Sequence, residues 1–235
     1  MLGRSTLRIL LCALPCGGAF AQVPGAERVD CVGIYSIQKR SCIVENIYRC
    51  DTPAGVLWRK EEFEADDPMN FEVLTEDGQI LYVADTVEGP FLSGLIENGD
   101  PVSIQEMLTS GVDYYDQIIR LHLPIFTDPI NAPLRGRLQN LNEQVEIDGI
   151  VFDRARLHIN LSINAAEIPG YEDWYIDRAT GAFAYGESKI LNKLYEQEPV
   201  QVIKPGEPGF MSDRPLYDCG EISKAVPLFG GVQHG

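Results

Sequence analysis

Histidine is scarce in this chain: His122, His158 and His234 are the whole supply among 235 residues. There is no HExxH pair, which excludes a zincin-type centre. Basic residues are also few, 19 Lys and Arg against 35 Asp and Glu, for a formal net charge of -16. A field of that sign repels phosphate backbones and anionic lipid surfaces, so no nucleic acid partner is expected. No apolar run reaches the roughly twenty residues that a membrane-spanning helix needs. GxSxG, a glycine-rich phosphate loop and a DxDxDG-like calcium loop are all missing. TEDGQI and EIDGIVF read as turns, and PGEPGF has proline where a phosphate cradle needs N–H groups. No cofactor or metal is expected.

What is present begins with MLGRSTLRILLCALPCGGAFAQ: Arg4 and Arg8, an apolar run from Ile9, then Ala19-Phe20-Ala21 in the small-x-small pattern of signal peptidase sites. This predicts a Sec-type signal peptide over 1–21, cleaved after Ala21, and a periplasmic or secreted mature chain. Pro15 ahead of Cys16 argues against a lipid anchor. The mature chain would have 214 residues and a charge of -18, since the signal carries two arginines and no acid. At 45% hydrophobic and 23% charged it has the composition of a folded protein with a real core. Residues 22–220 are expected to form a single β-rich domain. Residues 221–235, with Pro227, a Gly pair and no periodicity, are expected to be a flexible tail.

Four cysteines survive cleavage: Cys31, Cys42, Cys50 and Cys219. In an oxidising compartment an even count reads as two disulfides. Structural zinc uses close pairs, whereas the gaps here are ten, seven and 168 residues, and no CxxC exists for redox chemistry. If IVENIYR is a strand, Cys42 and Cys50 stand about eight steps of ~3.3 Å apart, too far to bond. Two pairings remain. A short turn near Lys39 and Arg40 favours Cys31–Cys42 with Cys50–Cys219; a symmetric hairpin about Arg40 and Ser41 would instead set Cys31 opposite Cys50.

The dominant pattern is alternation. RLHINLSIN puts Leu157, Ile159, Leu161 and Ile163 on one side and His158, Asn160, Ser162 and Asn164 on the other, a strand with one buried face. EQVEIDGIVFDRA reads as a neighbouring strand with a weak spot at Gly149, and WYIDRATGAFAYGES as a hairpin turning at RATG. Further strands are read in CIVENIYRC, VLWRKEEFE, NFEVLTE, GQILYVA, YYDQIIRLHL and VQVIK. One helix is expected in NGDPVSIQEMLTSG, with Asp100 as cap, Pro101 at the first position and Gly111 at the end. The fold class is therefore mainly β: an antiparallel curved sheet, as barrel, half-barrel or sandwich, with one or two short helices. The four apolar residues Leu157, Ile159, Leu161 and Ile163 are the candidate ligand-facing set.

Catalytic candidates are weak. Ser36 and Lys39 have the serine-x-x-lysine spacing but lack its companion motifs. The carboxylate pairs Glu61 and Glu62, Asp66 and Asp67, and Glu172 and Asp173 would point to opposite strand faces and read as a solvated acidic surface. No catalytic residue is assigned.

The layout of export signal, three early cysteines, one-faced strands, VEIDGI, PGEPGF and a closing YDCG resembles uncharacterised bacterial periplasmic proteins. The curved-sheet expectation is also similar, at fold level, to the periplasmic lipoprotein carriers, whose half-barrel shelters acyl chains. The resemblance carries over no activity; a sheet of one-faced strands that must bend to hide its apolar side, with no catalytic signature, leads to the expectation of a non-catalytic protein binding an apolar or amphipathic small molecule. A carboxylate-dependent hydrolase is the alternative, and an envelope protein pairing with a partner through a sheet edge is the third reading.

Overall fold

Alternating strands that each offer one apolar side must hide it by pairing and curling. The computed structural model describes residues 30–64, 70–85, 89–123, 126–216 and 219, with backbone alone at 85 and 89–98. The signal sequence 1–21, Asp66 and Asp67, and the tail 221–235 lie outside the described residues. Among those described, the chain is mainly β, with one short helix.

The strands are β1 (Cys31–Lys39), β2 (Ile43–Thr52), β3 (Gly55–Glu64), β4 (Asn70–Thr75), β5 (Ile80–Asp85) and β6 (Gly89–Asp100). After helix α1 (Ile104–Ser110) come β7 (Val112–Leu121), β8 (Ile130–Ile147), β9 (Ile150–Ile163), β10 (Ala166–Ile176), β11 (Phe183–Ile190), β12 (Lys193–Tyr195) and β13 (Pro199–Ile203). β1 to β12 run as one antiparallel meander, and β13 returns to pair with the free side of β1. The ladder does not close into a barrel, because β12 and β13 are its two ends. It does fold over on itself. The main core joins Tyr35, Ile37, Ile47, Trp58 and Leu74 of β1–β4 to Phe152, Ala155, Trp174, Phe183 and Tyr185 of β9–β11. Two hydrogen bonds fasten the curl: Tyr35 Oη donates to Asp177 Oδ2 at 2.9 Å and Tyr185 Oη to Glu72 Oε2 at 2.7 Å.

Local chemistry corrects several expectations. The helix is capped by Ser103, not Asp100, which ends β6. Ser103 Oγ accepts from Glu106 N at 3.1 Å, the serine half of a capping box. Gly111 closes the helix as expected, with φ 89°. EQVEIDGIVFDRA is two strands, not one: Asp148 and Gly149, both at positive φ (48° and 75°), make the two-residue turn between β8 and β9. The disulfides are Cys31–Cys50 and Cys42–Cys219, so the favoured Cys31–Cys42 pairing is wrong. The β1–β2 hairpin is nearly symmetric and places Cys31 directly opposite Cys50, with Cα atoms 4.1 Å apart. Cys42 is left at the turn to meet Cys219. The chain beyond β13 packs back along the outer face of β1 and β2: Met211 N donates to Ser36 Oγ at 2.6 Å and Asn46 Nδ2 to Ser212 O at 2.9 Å.

Candidate functional site

The concave side of the sheet is assembled by register. Inward positions on β1 to β4 are Ile37 and Lys39; Ile43, Glu45 and Ile47; Trp58, Lys60 and Glu62; and Glu72 and Leu74. Across the interior, β10 and β11 present Glu172, Trp174, Phe183 and Tyr185. Charged residues thus occupy the same strand faces as large apolar ones, and the curl brings them together.

Register sets Glu45 directly opposite Glu62, a like-charge pair that would be unfavourable alone. Lys39 resolves it: its Nζ lies 2.5 Å from Glu45 Oε2 and 2.5 Å from Glu62 Oε1. Lys39 and Glu45 are fully buried, while Glu62 keeps 25% of its side-chain surface. Lys60 Nζ lies 3.2 Å from Glu45 Oε1 without hydrogen-bond alignment, and over the rings of Phe183 and Tyr185 at 3.8 and 3.4 Å. Glu72 accepts from Tyr185, and Glu172 accepts from Trp174 Nε1 at 2.8 Å. Neither is ion-paired among the described residues, and each sits within electrostatic range of Lys60.

Burial opposes the charge on Lys39, but Glu45 and Glu62 more than compensate and hold its ammonium above the ordinary value. Glu45 is likewise penalised by burial yet held low by Lys39 and Lys60. For Lys60 burial wins and its pKa falls. Burial pushes Glu72 and Glu172 up to about 7. Both glutamates nevertheless retain some accessible surface.

Beyond the charged end the inner face turns aliphatic. Leu157 is buried in the main core. Ile159, Leu161 and Ile163 continue the same face of β9 but are half-buried. Ile159 still packs against the main core, while Leu161 and Ile163 stand with Ile130, Leu134, Ile80 and Val83 around a small buried cluster of Ile119, Leu121 and Ala132. The four residues read from RLHINLSIN therefore do share the concave face, graded from closed to open. Gly136 of β8 leaves room here, since a Cβ would strike His158 O and Tyr115 Oη, which are themselves bonded at 2.9 Å.

The other sequence candidates fare differently. Ser36 and Lys39 face opposite sides of β1: Ser36 bonds Asn46 at 2.6 Å outside while Lys39 enters the charged cluster, so they cannot act together. Glu172 and Asp173 do point to opposite faces, but neither belongs to a solvated acidic surface. Glu172 faces the interior, and Asp173, buried, takes Arg154 Nη2 at 2.6 Å and Arg156 Nε at 2.5 Å. Glu62 corrects the same expectation. His158 lies on the outer face, half-buried, with Arg137 Nη2 3.4 Å from its Nε2.

Sequence reasoning missed the charged cluster as a unit. The signal was there: Lys39 follows Ile37, Glu45 lies between Ile43 and Ile47, Lys60 follows Trp58, and Glu172 precedes Trp174, each two residues along. A charge flanked at i±2 by large apolar residues belongs to a buried face.

Among the described residues, no three His, Cys, Asp or Glu come together as metal ligands, and no helix is long and apolar enough to cross a membrane. No family model, curated protein or solved structure matches the chain.

Proposed function

We propose that this is an exported, non-catalytic protein that holds an apolar or amphipathic small molecule against the concave face of its sheet. The carrying observation is the inner row of β9, where Ile159, Leu161 and Ile163 remain half-exposed on a face whose other end is packed shut. Aliphatic surface left in water costs about 25 cal/mol per Å², and a ligand chain laid on it recovers that free energy. Two disulfides accord with an oxidising compartment. The test is a titration of the folded protein with an environment-sensitive fluorescent fatty acid. Leu161→Glu, on the concave face, abolishes uptake, whereas Asn160→Glu, exposed on the other face, leaves it intact. A wild-type protein that takes up no such probe removes the carrier reading and brings edge pairing to the front.

A carboxylate-dependent hydrolase is the second reading. It is favoured by Glu72 and Glu172, two interior carboxyls within electrostatic range of each other, both raised to about 7, the range suited to general acid–base work. Turnover of an ester or glycoside that is lost in Glu172→Gln while the fold persists would put this reading first.

A further inference from the structure

The outside of β7–β11 carries a row of side chains placed shoulder to shoulder by register. Tyr114 pairs with Arg137, Arg137 with His158, His158 with Tyr171, and Tyr171 with Lys189. Five strands at about 4.8 Å spacing make the row roughly 19 Å long. It combines three rings with two cations and holds no carboxylate of its own, in a chain whose net charge is -16.

Arg137 is the centre of the case. The residue is half-buried, and its guanidinium makes two neutral, long contacts: Nε to Gln139 Oε1 at 3.4 Å and Nη2 to His158 Nε2 at 3.4 Å. Five donors so placed are short of acceptors. The nearby acids are already engaged. Asp173 serves Arg154 and Arg156, and Glu187 Oε1 takes the hydroxyl of Tyr171 at 2.6 Å. Arg156 also stacks on the Tyr171 ring at 4.3 Å and adds a cation beside the row. Tyr114 leaves 67% of its surface in solvent, an open ring at one end, and Lys189 is exposed near the other. Burial, Arg137 and Arg156 hold the His158 imidazole below its ordinary value, leaving it neutral and able to hydrogen-bond a hydroxyl.

We propose that the row Tyr114–Arg137–His158–Tyr171–Lys189 is a binding site for an acidic carbohydrate lying across the strands. Tyr114 stacks on the apolar face of a sugar ring, His158 meets its hydroxyls, and Arg137 and Lys189 take its carboxylate or sulfate groups. The two cations of the row are three strand spacings apart, about 14 Å, which suits a sparsely charged chain. A nucleic-acid strand brings a phosphate with every nucleotide against a strongly negative protein and finds too few cations here. The site is independent of the interior ligand.

The test is calorimetric titration of the folded, disulfide-bonded chain with a hyaluronan tetrasaccharide, which carries a carboxylate on every second ring only, a galactose tetrasaccharide sulfated on every second ring, the neutral galactose tetrasaccharide and a short single-stranded oligonucleotide. At least one acidic oligosaccharide binds at low salt and weakens as salt rises, and the neutral one binds at least tenfold more weakly. Arg137→Gln combined with Lys189→Gln lowers acidic-sugar affinity at least tenfold with an unchanged thermal midpoint, and Tyr114→Ala lowers it severalfold. Binding of neither acidic sugar, equal binding of the neutral one, tighter binding of the oligonucleotide, or affinity that survives the double substitution overturns the proposal.

Discussion

Along β9 the concave face changes character within a few residues. Ala155 and Leu157 are buried beside Trp174 and its aromatic neighbours, whereas Ile159, Leu161 and Ile163 keep accessible surface. The first end is closed by large rings and a network of charges; the second is open and aliphatic. Packing at the closed end is contributed from both arms of the curl, as the bond from Tyr185 to Glu72 shows. The contrast teaches that a curled sheet need not be uniformly filled: the same alternation can build a locked core at one end and a half-exposed aliphatic face at the other.

The sharpest way to break the comparison is at Glu45, the carboxylate touched by both Lys39 and Lys60. Glu45→Gln leaves two buried ammonium groups with less countercharge, and urea denaturation should show a loss of about 3–5 kcal/mol. A polar substitution at the open end, Leu161→Gln, costs about 1 kcal/mol, because a half-buried leucine gives up only part of the ~1.5–3 kcal/mol of full burial. Equal costs would mean the two ends are packed alike.

A smaller effect separates the ends by pH. Glu72 and Glu172 have folded pKa values near 7, above the ordinary 4.5, so the folded protein binds more protons than the unfolded chain between those values. Their stabilising contribution is complete below about 4.5 and is lost as pH rises through about 7. The thermal midpoint therefore falls between pH 5 and 8, and Glu172→Gln flattens part of that slope. A profile unchanged by the substitution would show that Glu172 is not held in a desolvated site.

Much of the architecture was legible in the sequence, because it rests on strand alternation and turn residues. RLHINLSIN announced its inward face, RATG its turn, and Gly111 the helix end. What stayed hidden depends on partners distant in the chain. In VLWRKEEFE both faces mix charge with bulk, so period two could not say that Trp58, Lys60 and Glu62 turn inward; the groups that receive them are Lys39 of β1, Glu45 of β2, Glu172 of β10 and the Phe183 and Tyr185 rings of β11. Local geometry alone favoured Cys31–Cys42, but the near-symmetric β1–β2 hairpin set Cys31 against Cys50. Asp100 looked like a cap because Pro101 follows it, yet Ser103 with Glu106 three residues on was the stronger signal.

The central claim is that the concave face is open at its aliphatic end and shut at its charged end. Methyl-resolved NMR with a nitroxide-labelled fatty acid tests it directly. The account predicts attenuation of the Ile159, Leu161 and Ile163 methyl signals, with those of Ile37, Ile47 and Leu74 preserved. Attenuation confined to outward methyls such as Val32 and Val151, or spread equally over both ends, would contradict it.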